Sequence, residues 1–117
     1  MRLNEISFTD ARPVEGYGPG FFRIGGEVHH GAVLTGPAGT GRWGGYDDIA
    51  ALTGLAGQVD VIFVGTGAEV AHVPRVLRDA VESAGIGLEA MTSPAACRTY
   101  NVLLSEGRRV ALALQPV

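Results

Sequence analysis

Hydrophobic positions in the second half of the chain recur with two alternating periods. Residues 59–64 form a short apolar run, rich in β-branched side chains and interrupted only by Asp60, which is typical of a buried parallel strand. Residues 72–84 carry apolar side chains at helical spacing and predict an amphipathic helix, with Pro74 in its first turn and Gly85 at its end. The pattern then predicts a strand over 86–91, a helix that Ser93 caps before Pro94 and Gly107 ends, and a strand over 108–114. This β-α-β-α-β order predicts parallel strands joined by right-handed crossovers.

The first half of the chain is dominated by turn residues. A short, weak strand is predicted at Leu3, Ile6 and Phe8, and a loop rich in glycine and proline over residues 13–20. Gly25-Gly26 lie between the apolar segments 21–24 and 28–34 and predict a β-hairpin, because both glycines tolerate positive φ. We expect this N-terminal hairpin region to extend the main sheet or to cover one of its faces.

Residues 35–45 contain five glycines and one proline and predict an exposed loop. Trp43, near the end of this segment, is more typical of a lid over the core than of a binding hot spot. Asp47 or Asp48 is a candidate cap for a short helix that runs through Leu55, since a carboxylate accepts hydrogen bonds from free backbone N–H groups.

Length and composition favour one domain that spans residues 1–117. The chain is 46% hydrophobic and 18% charged, which excludes disordered, collagen-like and coiled-coil proteins. Its 18 glycines show no period, so they indicate many turns rather than a fibrous repeat.

The charge pattern argues against a nucleic-acid partner. All nine basic residues are arginine, the net charge is -3, and only Arg108 and Arg109 are adjacent, whereas binding to phosphates requires a concentrated basic surface. The lone Cys97 excludes an internal disulfide and fits a reducing compartment. No signal peptide and no apolar run of membrane-spanning length is evident. These features predict a cytoplasmic protein with at most peripheral membrane association.

The first candidate site is Gly65-Thr66-Gly67, directly after the buried strand. Backbone amides at the carboxyl end of a strand can bind an anion in the crevice of an open α/β sheet. The dinucleotide fingerprint, however, needs a third glycine where Val70 stands, and no lysine-bearing phosphate loop is present. A structural turn is therefore favoured over a nucleotide site.

The second candidate is the helix over residues 92–101. Ala96 and Tyr100, with Leu103, share one face that we expect to pack on the sheet, and the Tyr100 hydroxyl could reach a cleft. Arg98 and Asn101 lie on a neighbouring face, where they could hold a carboxylate or another chain. The alternative is a well-packed helix with a solvated polar edge.

No catalytic set, metal site or cofactor site emerges from the remaining residues. No histidine lies near Cys97 in the sequence, so a small buried thiol is its expected state. His29 and His30 are adjacent on a predicted strand and would point to opposite faces, while His72 has too few neighbouring ligands for zinc. We therefore expect no cofactor and do not favour an enzyme.

Two segments carry a resemblance to a known family: Val61-Ile62-Phe63-Val64-Gly65-Thr66-Gly67, and the stretch from Met91 to Val110 that includes ACRTYNVLLSEGRRV. They resemble a small domain family of largely unknown function that includes mitochondrial complex I assembly factor 3 and the adipogenesis-associated domain protein. The similarity extends to the aromatic and glycine-rich segment 18–24. It implies a three-layer α/β domain with a mixed sheet.

The resemblance also implies a function and a site. Family members look like non-enzymatic assembly or adaptor proteins, and the mitochondrial branch works with a partner factor in early complex I assembly at the inner membrane. The cleft shared by members maps here to Gly65, Thr66, Gly67, Thr92, Arg98, Thr99, Tyr100 and Asn101. Since no mitochondrial presequence is evident, the organellar role does not transfer directly.

Two functions follow as hypotheses. The preferred one is a protein-binding module, monomeric or weakly dimeric, that helps to assemble a membrane-associated complex; its partner would be a respiratory-complex subunit or another assembly factor. The alternative is a protein or enzyme that holds a small anionic metabolite with the Gly-Thr-Gly turn and Arg98.

Overall fold

The computed structural model describes residues 11–117, so the strand predicted at Leu3, Ile6 and Phe8 lies outside the described residues. In this range the strands are β1 (Val14–Gly18), β2 (Phe21–Ile24), β3 (Glu27–His30), β4 (Val33–Gly36), β5 (Gly39–Arg42), β6 (Val61–Gly65), β7 (Gly87–Met91) and β8 (Val110–Leu114). The helices are α1 (Ile49–Thr53), α2 (Arg75–Ser83) and α3 (Ser93–Ser105).

The main sheet is mixed, with strand order β5-β4-β8-β6-β7. β6 pairs in parallel with both β7 and β8, while β4 runs antiparallel to β8 and β5. The predicted β-α-β-α-β half is therefore confirmed as β6-α2-β7-α3-β8.

The main sheet separates two apolar clusters and forms the middle of three layers. One face packs under α1 and α2, where Leu52 and Leu77 meet Ile62 of β6. The other face packs under α3 and the second sheet, where Tyr100 and Phe22 join a cluster with Phe63 of β6, whose side chain points away from that of Ile62. This arrangement confirms the expected three-layer α/β fold.

The second sheet is a three-stranded antiparallel meander, β1-β2-β3. Gly25 and Gly26 have φ of 59° and 83° and form the predicted hairpin turn between β2 and β3. The prediction of a loop over 13–20 is wrong, because residues 14–18 form β1 and Pro19-Gly20 form a two-residue turn that leads into β2. The small sheet covers one face of the main sheet rather than extending it.

Two further predictions in the first half need correction. Residues 28–34 do not form one strand, since Gly31 at φ 82° separates β3 from β4, which belongs to the other sheet. Residues 35–45 are not an exposed loop, because they include most of the β4–β5 hairpin. The glycines of this hairpin have no side chains, so the sequence does not show the alternation of apolar and polar residues that is typical of a strand. Trp43 is 2% exposed in the core, which confirms its role as a lid.

The starts of the helices differ from the predictions, either in the first helical residue or in the residue that caps the helix. α2 begins after Pro74 rather than at His72. Thr92, not Ser93, caps α3, and its hydroxyl accepts a hydrogen bond from the Ala95 N–H at 3.3 Å. Asp48 precedes α1, but its carboxylate accepts from the Gly44 N–H instead of from the helix.

Candidate functional site

The Gly-Thr-Gly turn lies where β6 ends, beside the first turn of α3 and the residue that follows β8. We call this region the strand-end junction and define it by Gly65, Thr66, Gly67, Ser93 and Gln115. Ser93 is fully buried at its centre. Its hydroxyl accepts from the Gly67 N–H at 2.9 Å and donates to the Gln115 carbonyl at 2.6 Å. One side chain thus joins three elements.

The backbone groups of the Gly-Thr-Gly turn are also paired within the protein. The Thr66 N–H donates to the Met91 carbonyl at 2.8 Å, and the Gly65 carbonyl accepts from the Gln115 N–H at 2.9 Å. The Thr66 hydroxyl donates to the Glu69 carbonyl at 2.7 Å. These bonds support the structural interpretation of the turn, because the amides of Thr66 and Gly67 are already donated.

Gly65 allows α3 to approach the sheet closely. A Cβ atom added at this position would lie 2.8 Å from the Ser93 Cα and 2.7 Å from the Leu114 Cδ2. The N-terminal turn of α3 therefore rests directly on the β6 backbone, which brings the Ser93 hydroxyl within reach of Gly67.

Tyr100 is a core residue rather than part of an open cleft. Its side chain is fully buried, and its hydroxyl donates to the Arg12 carbonyl at 3.0 Å. Burial raises the pKa of Tyr100 to about 12, although a hydrogen bond with the Thr35 side chain lowers it in part. The expectation that this hydroxyl reaches a cleft is wrong in the described structure.

Asn101 acts as a partner for strand β1. Its Oδ1 accepts from the Val14 N–H and its Nδ2 donates to the Val14 carbonyl, both at 2.8 Å. The side-chain amide therefore makes the same two hydrogen bonds to Val14 that the backbone of a neighbouring strand would make. The predicted grip of Asn101 on an external carboxylate does not fit this geometry, because both ends of the amide are occupied.

The outward surface of α3 differs from the rest of the candidate region. Arg98 is exposed, and Val102, one helical turn later, is 56% exposed. Together with Thr99 and Leu103 they line a shallow, largely apolar depression. Thr99 is partly held in place, since its hydroxyl donates to the Met91 sulfur at 3.6 Å. We call these four residues the α3 outer face.

The eight residues singled out from the sequence therefore fall into two groups. Six of them make hydrogen bonds or close contacts within the fold: Gly65, Thr66, Gly67, Thr92, Tyr100 and Asn101. Arg98 and Thr99 belong to the α3 outer face, although the Thr99 hydroxyl also bonds to Met91. Ser93 and Val102 were not identified as site residues. A serine that precedes proline at the start of a helix is usually interpreted as a cap. That common role gives no sign of the hydrogen bonds that the Ser93 side chain makes to Gly67 and Gln115.

Other reactive groups do not assemble into a site within residues 11–117. No cluster of three or more metal-ligating side chains is found there. Cys97 is 4% exposed, and burial raises the pKa of its thiol to about 12, an effect that nearby Arg98 offsets only in part.

We expect the Cys97 thiol of the folded protein to resist Ellman's reagent at pH 8, because reaction requires a thiolate that the core disfavours. Labelling should become fast once denaturant unfolds the chain, and its one cysteine makes the signal unambiguous. The raised pKa in the folded state also predicts that stability falls as pH rises above the ordinary thiol pKa, since the unfolded chain then ionises first. Fast stoichiometric labelling in native buffer would contradict this prediction.

In the part of the chain that the structure describes, no helix combines the length and the apolar character that crossing a membrane requires.

Comparisons with known proteins identify one matching family and two relatives. A family model described as "Protein of unknown function (DUF498/DUF598)" matches residues 14–115. An uncharacterized protein of Rhodobacter capsulatus is 50% identical over 117 residues, which are 100% of this chain and 94% of that protein. NADH dehydrogenase (ubiquinone) 1 alpha subcomplex assembly factor 3 of Danio rerio is 32% identical over 107 residues, 86% of this chain. The match spans only 62% of that longer protein.

A solved structure supports the fold. The crystal structure of an outer membrane protein from Bartonella henselae superposes with a TM-score of 0.84 at 32% sequence identity. The match covers 95% of this chain and 100% of that one. The overall fold described above is therefore shared with that protein.

Proposed function

Since this chain belongs to the family of proteins of unknown function DUF498/DUF598, we propose that it is a non-enzymatic protein-binding module that helps to assemble a respiratory complex at a membrane. The name of the Danio rerio relative supports the assembly role. Its transfer to this chain is part of the proposal, because the match spans 62% of that protein.

The observation that carries the proposal is the contrast between the strand-end junction and the α3 outer face. Polar groups of the junction are paired with one another, whereas Arg98 and Val102 are exposed one helical turn apart beside a shallow apolar depression. A flat surface that combines an arginine with aliphatic side chains suits a protein partner, since arginine is enriched at protein interfaces and exposed apolar surface favours burial.

The alternative, a site for a small anionic metabolite at the Gly-Thr-Gly turn, gains no support from the geometry. The N–H groups of Thr66 and Gly67 donate to the Met91 carbonyl and the Ser93 hydroxyl. An anion would have to break these bonds, whose loss leaves polar groups of the fold unpaired.

A charge-reversal experiment tests the proposed surface. The double variant Arg98→Glu/Val102→Glu changes two exposed side chains and should leave the core intact. We expect tagged protein from gently solubilised cells of the native host to recover respiratory subunits at least about tenfold less efficiently than the unchanged protein, as is typical when an interface centre is lost. Recovery is quantified by mass spectrometry.

The matched control is Arg75→Glu/Val76→Glu on α2, which packs on the opposite face of the main sheet. Val76 is 70% exposed, so the control makes the same two side-chain changes at another exposed helix surface. Equal recovery by both double variants would reject the α3 outer face. Recovery of no respiratory subunit, even by the unchanged protein, would reject the assembly role itself.

A further inference from the structure

Among the described residues, the edge strands of the two sheets differ in whether side chains bond to their outward backbone groups. On β1, Asn101 occupies both backbone groups of Val14. On β7, the Arg78 Nη1 donates to the Leu88 carbonyl at 3.2 Å. The Gly87 N–H and the Met91 carbonyl form their bonds on the β6 side of the strand. Because backbone groups alternate in direction along a strand, the Leu88 carbonyl points away from β6. Side chains placed in this way prevent an edge strand from pairing with another chain.

No side chain of the described residues covers the outer edge of β5 in this way. The Trp43 N–H donates to the Ala32 carbonyl at 3.1 Å, which fixes the alternation of bonds between β4 and β5. The N–H and C=O groups of Thr40 and Arg42 therefore point away from β4. Among residues 11–117, no hydrogen bond reaches these outward groups.

Two adjacent depressions that share His29 lie between this edge and β3; one is bordered by Thr40 and the other by Arg42. We call them together the basic cleft. Arg12 lies against Gly25 at one end of β3, since a Cβ added at Gly25 would be 3.2 Å from the Arg12 Cγ.

Arg42 marks the opposite end of the same cleft. A Cβ added at Gly31, just beyond β3, would lie 3.9 Å from the Arg42 Nη1. Neither Arg12 nor Arg42 forms an ion pair with another described residue, and Glu27 is the acidic residue that borders the cleft. Within residues 11–117, two arginines without carboxylate partners thus frame an uncovered strand edge.

We propose that β5 binds an extended acidic segment of a partner protein by strand addition, with carboxylates of that segment facing Arg12 and Arg42. The outward groups of Thr40 and Arg42 would supply the backbone bonds, and the arginines would select the charge. The Arg42 side chain lies on the same face of the hairpin as Val33, its partner on β4, which belongs to the apolar cluster beneath the second sheet. Thr40 lies on this face too, since its hydroxyl bonds to that of Thr35 at 2.6 Å. Alternate side chains of an added strand would point the same way.

The charge also decides between an acidic partner and a second copy of this chain. In an antiparallel pair of two β5 edges centred on Gly41 or Arg42, the Arg42 side chains of both copies would lie close together on one face, and like charges across an interface oppose association. This surface is separate from the α3 outer face, so the inference does not depend on the proposed assembly role.

The test uses the full chain and a defined probe, an acetylated peptide that alternates glutamate and valine. Binding is followed by NMR shifts of backbone amides and by calorimetry. We expect saturable binding that weakens with salt and that shifts the Thr40 and Arg42 amides most strongly. A peptide with lysine for glutamate, and one N-methylated at alternate backbone positions, should bind at least about tenfold more weakly.

The decisive variant is Arg42→Pro, compared with Arg42→Gln. Proline removes the outward N–H of residue 42 but breaks no β4–β5 hydrogen bond, and edge strands tolerate proline at such a position. Glutamine removes the charge of the side chain and keeps the backbone N–H. Arg42→Pro should lower affinity more than Arg42→Gln, and Arg75→Gln on α2 should leave it unchanged. Near-ultraviolet circular dichroism confirms that each variant is folded.

Three outcomes would overturn the inference. One is no saturable binding at millimolar probe, and another is equal binding of the N-methylated or lysine-containing peptide. The third is a dimer in sedimentation experiments that Arg42→Pro abolishes, which would assign the β5 edge to a second copy of this chain.

Discussion

Gly65→Ala is expected to destabilise the protein by about 3 kcal/mol, the upper end of the usual cost of overpacking a core. The added methyl group would lie 2.6 Å from the Ser93 Oγ as well as against the Ser93 Cα and the Leu114 side chain. The α3 backbone must then move away from β6, and this shift also lengthens the Ser93–Gly67 hydrogen bond. Denaturant unfolding measures the effect, which is large against the about 5–15 kcal/mol that stabilises a typical domain.

Gly41→Ala provides the matched control, because Gly41 is also a strand glycine but a Cβ at this position would meet no atom within 4 Å. Its stability should stay the same or rise slightly, since alanine reduces the entropy of the unfolded chain. If both variants unfolded at the same denaturant concentration as the unchanged protein, the close approach of α3 to β6 would not be a constraint on the fold.

Asn101→Asp is expected to cost about 2–3 kcal/mol at neutral pH, the scale of leaving a buried polar group without a partner. An ionised carboxylate still accepts from the Val14 N–H, but it has no proton to donate to the Val14 carbonyl. Two oxygen atoms would then face each other where Nδ2 now donates at 2.8 Å.

The loss should depend on pH in a defined direction. A protonated carboxyl has both a donor and an acceptor, so folding favours the protonated form and raises the pKa of the new aspartate above its unfolded value. The restored pair contributes stability below the unfolded pKa of aspartate, and this contribution is lost as pH rises through the folded pKa. Asn101→Ala, which cannot titrate, should show no such recovery in acid when both variants are unfolded by urea across this range.

A penalty for Asn101→Asp that stays constant between acidic and neutral pH would argue against the bidentate pairing with β1. The comparison with Asn101→Ala removes the general effect of pH on the fold, because the two variants share every other titratable group.

The second half of the fold could be predicted from the sequence because its signals are local. The apolar run that became β6 and the glycine after α3 act within a few residues, and both were located correctly. The β4–β5 hairpin was not predicted because Gly36, Gly39 and Gly41 have no side chains that would show the alternation of a strand. The place of this hairpin in the main sheet is set by the pairing of β4 with β8, which is distant in the sequence.

The candidate site was harder to predict for a related reason. Sequence spacing placed Arg98 and Asn101 on one side of α3, but it could not show that Val14, 87 positions away, holds the Asn101 amide. Likewise, Ser93 joins residues 26 and 22 positions away. Whether a polar side chain is free or already paired depends on such long-range contacts, so its residue type alone does not identify a binding site.

The burial of Trp43 gives the protein an internal optical reporter. It is the chain's one tryptophan, its indole N–H donates to the Asp48 carbonyl at 3.3 Å, and the Tyr46 ring lies edge-on at 5.9 Å. Its fluorescence emission should therefore be blue-shifted in the native state and move to longer wavelength when water reaches the indole. Because Trp43 directly follows β5 and precedes α1, the same signal reports on the hairpin edge without any added label.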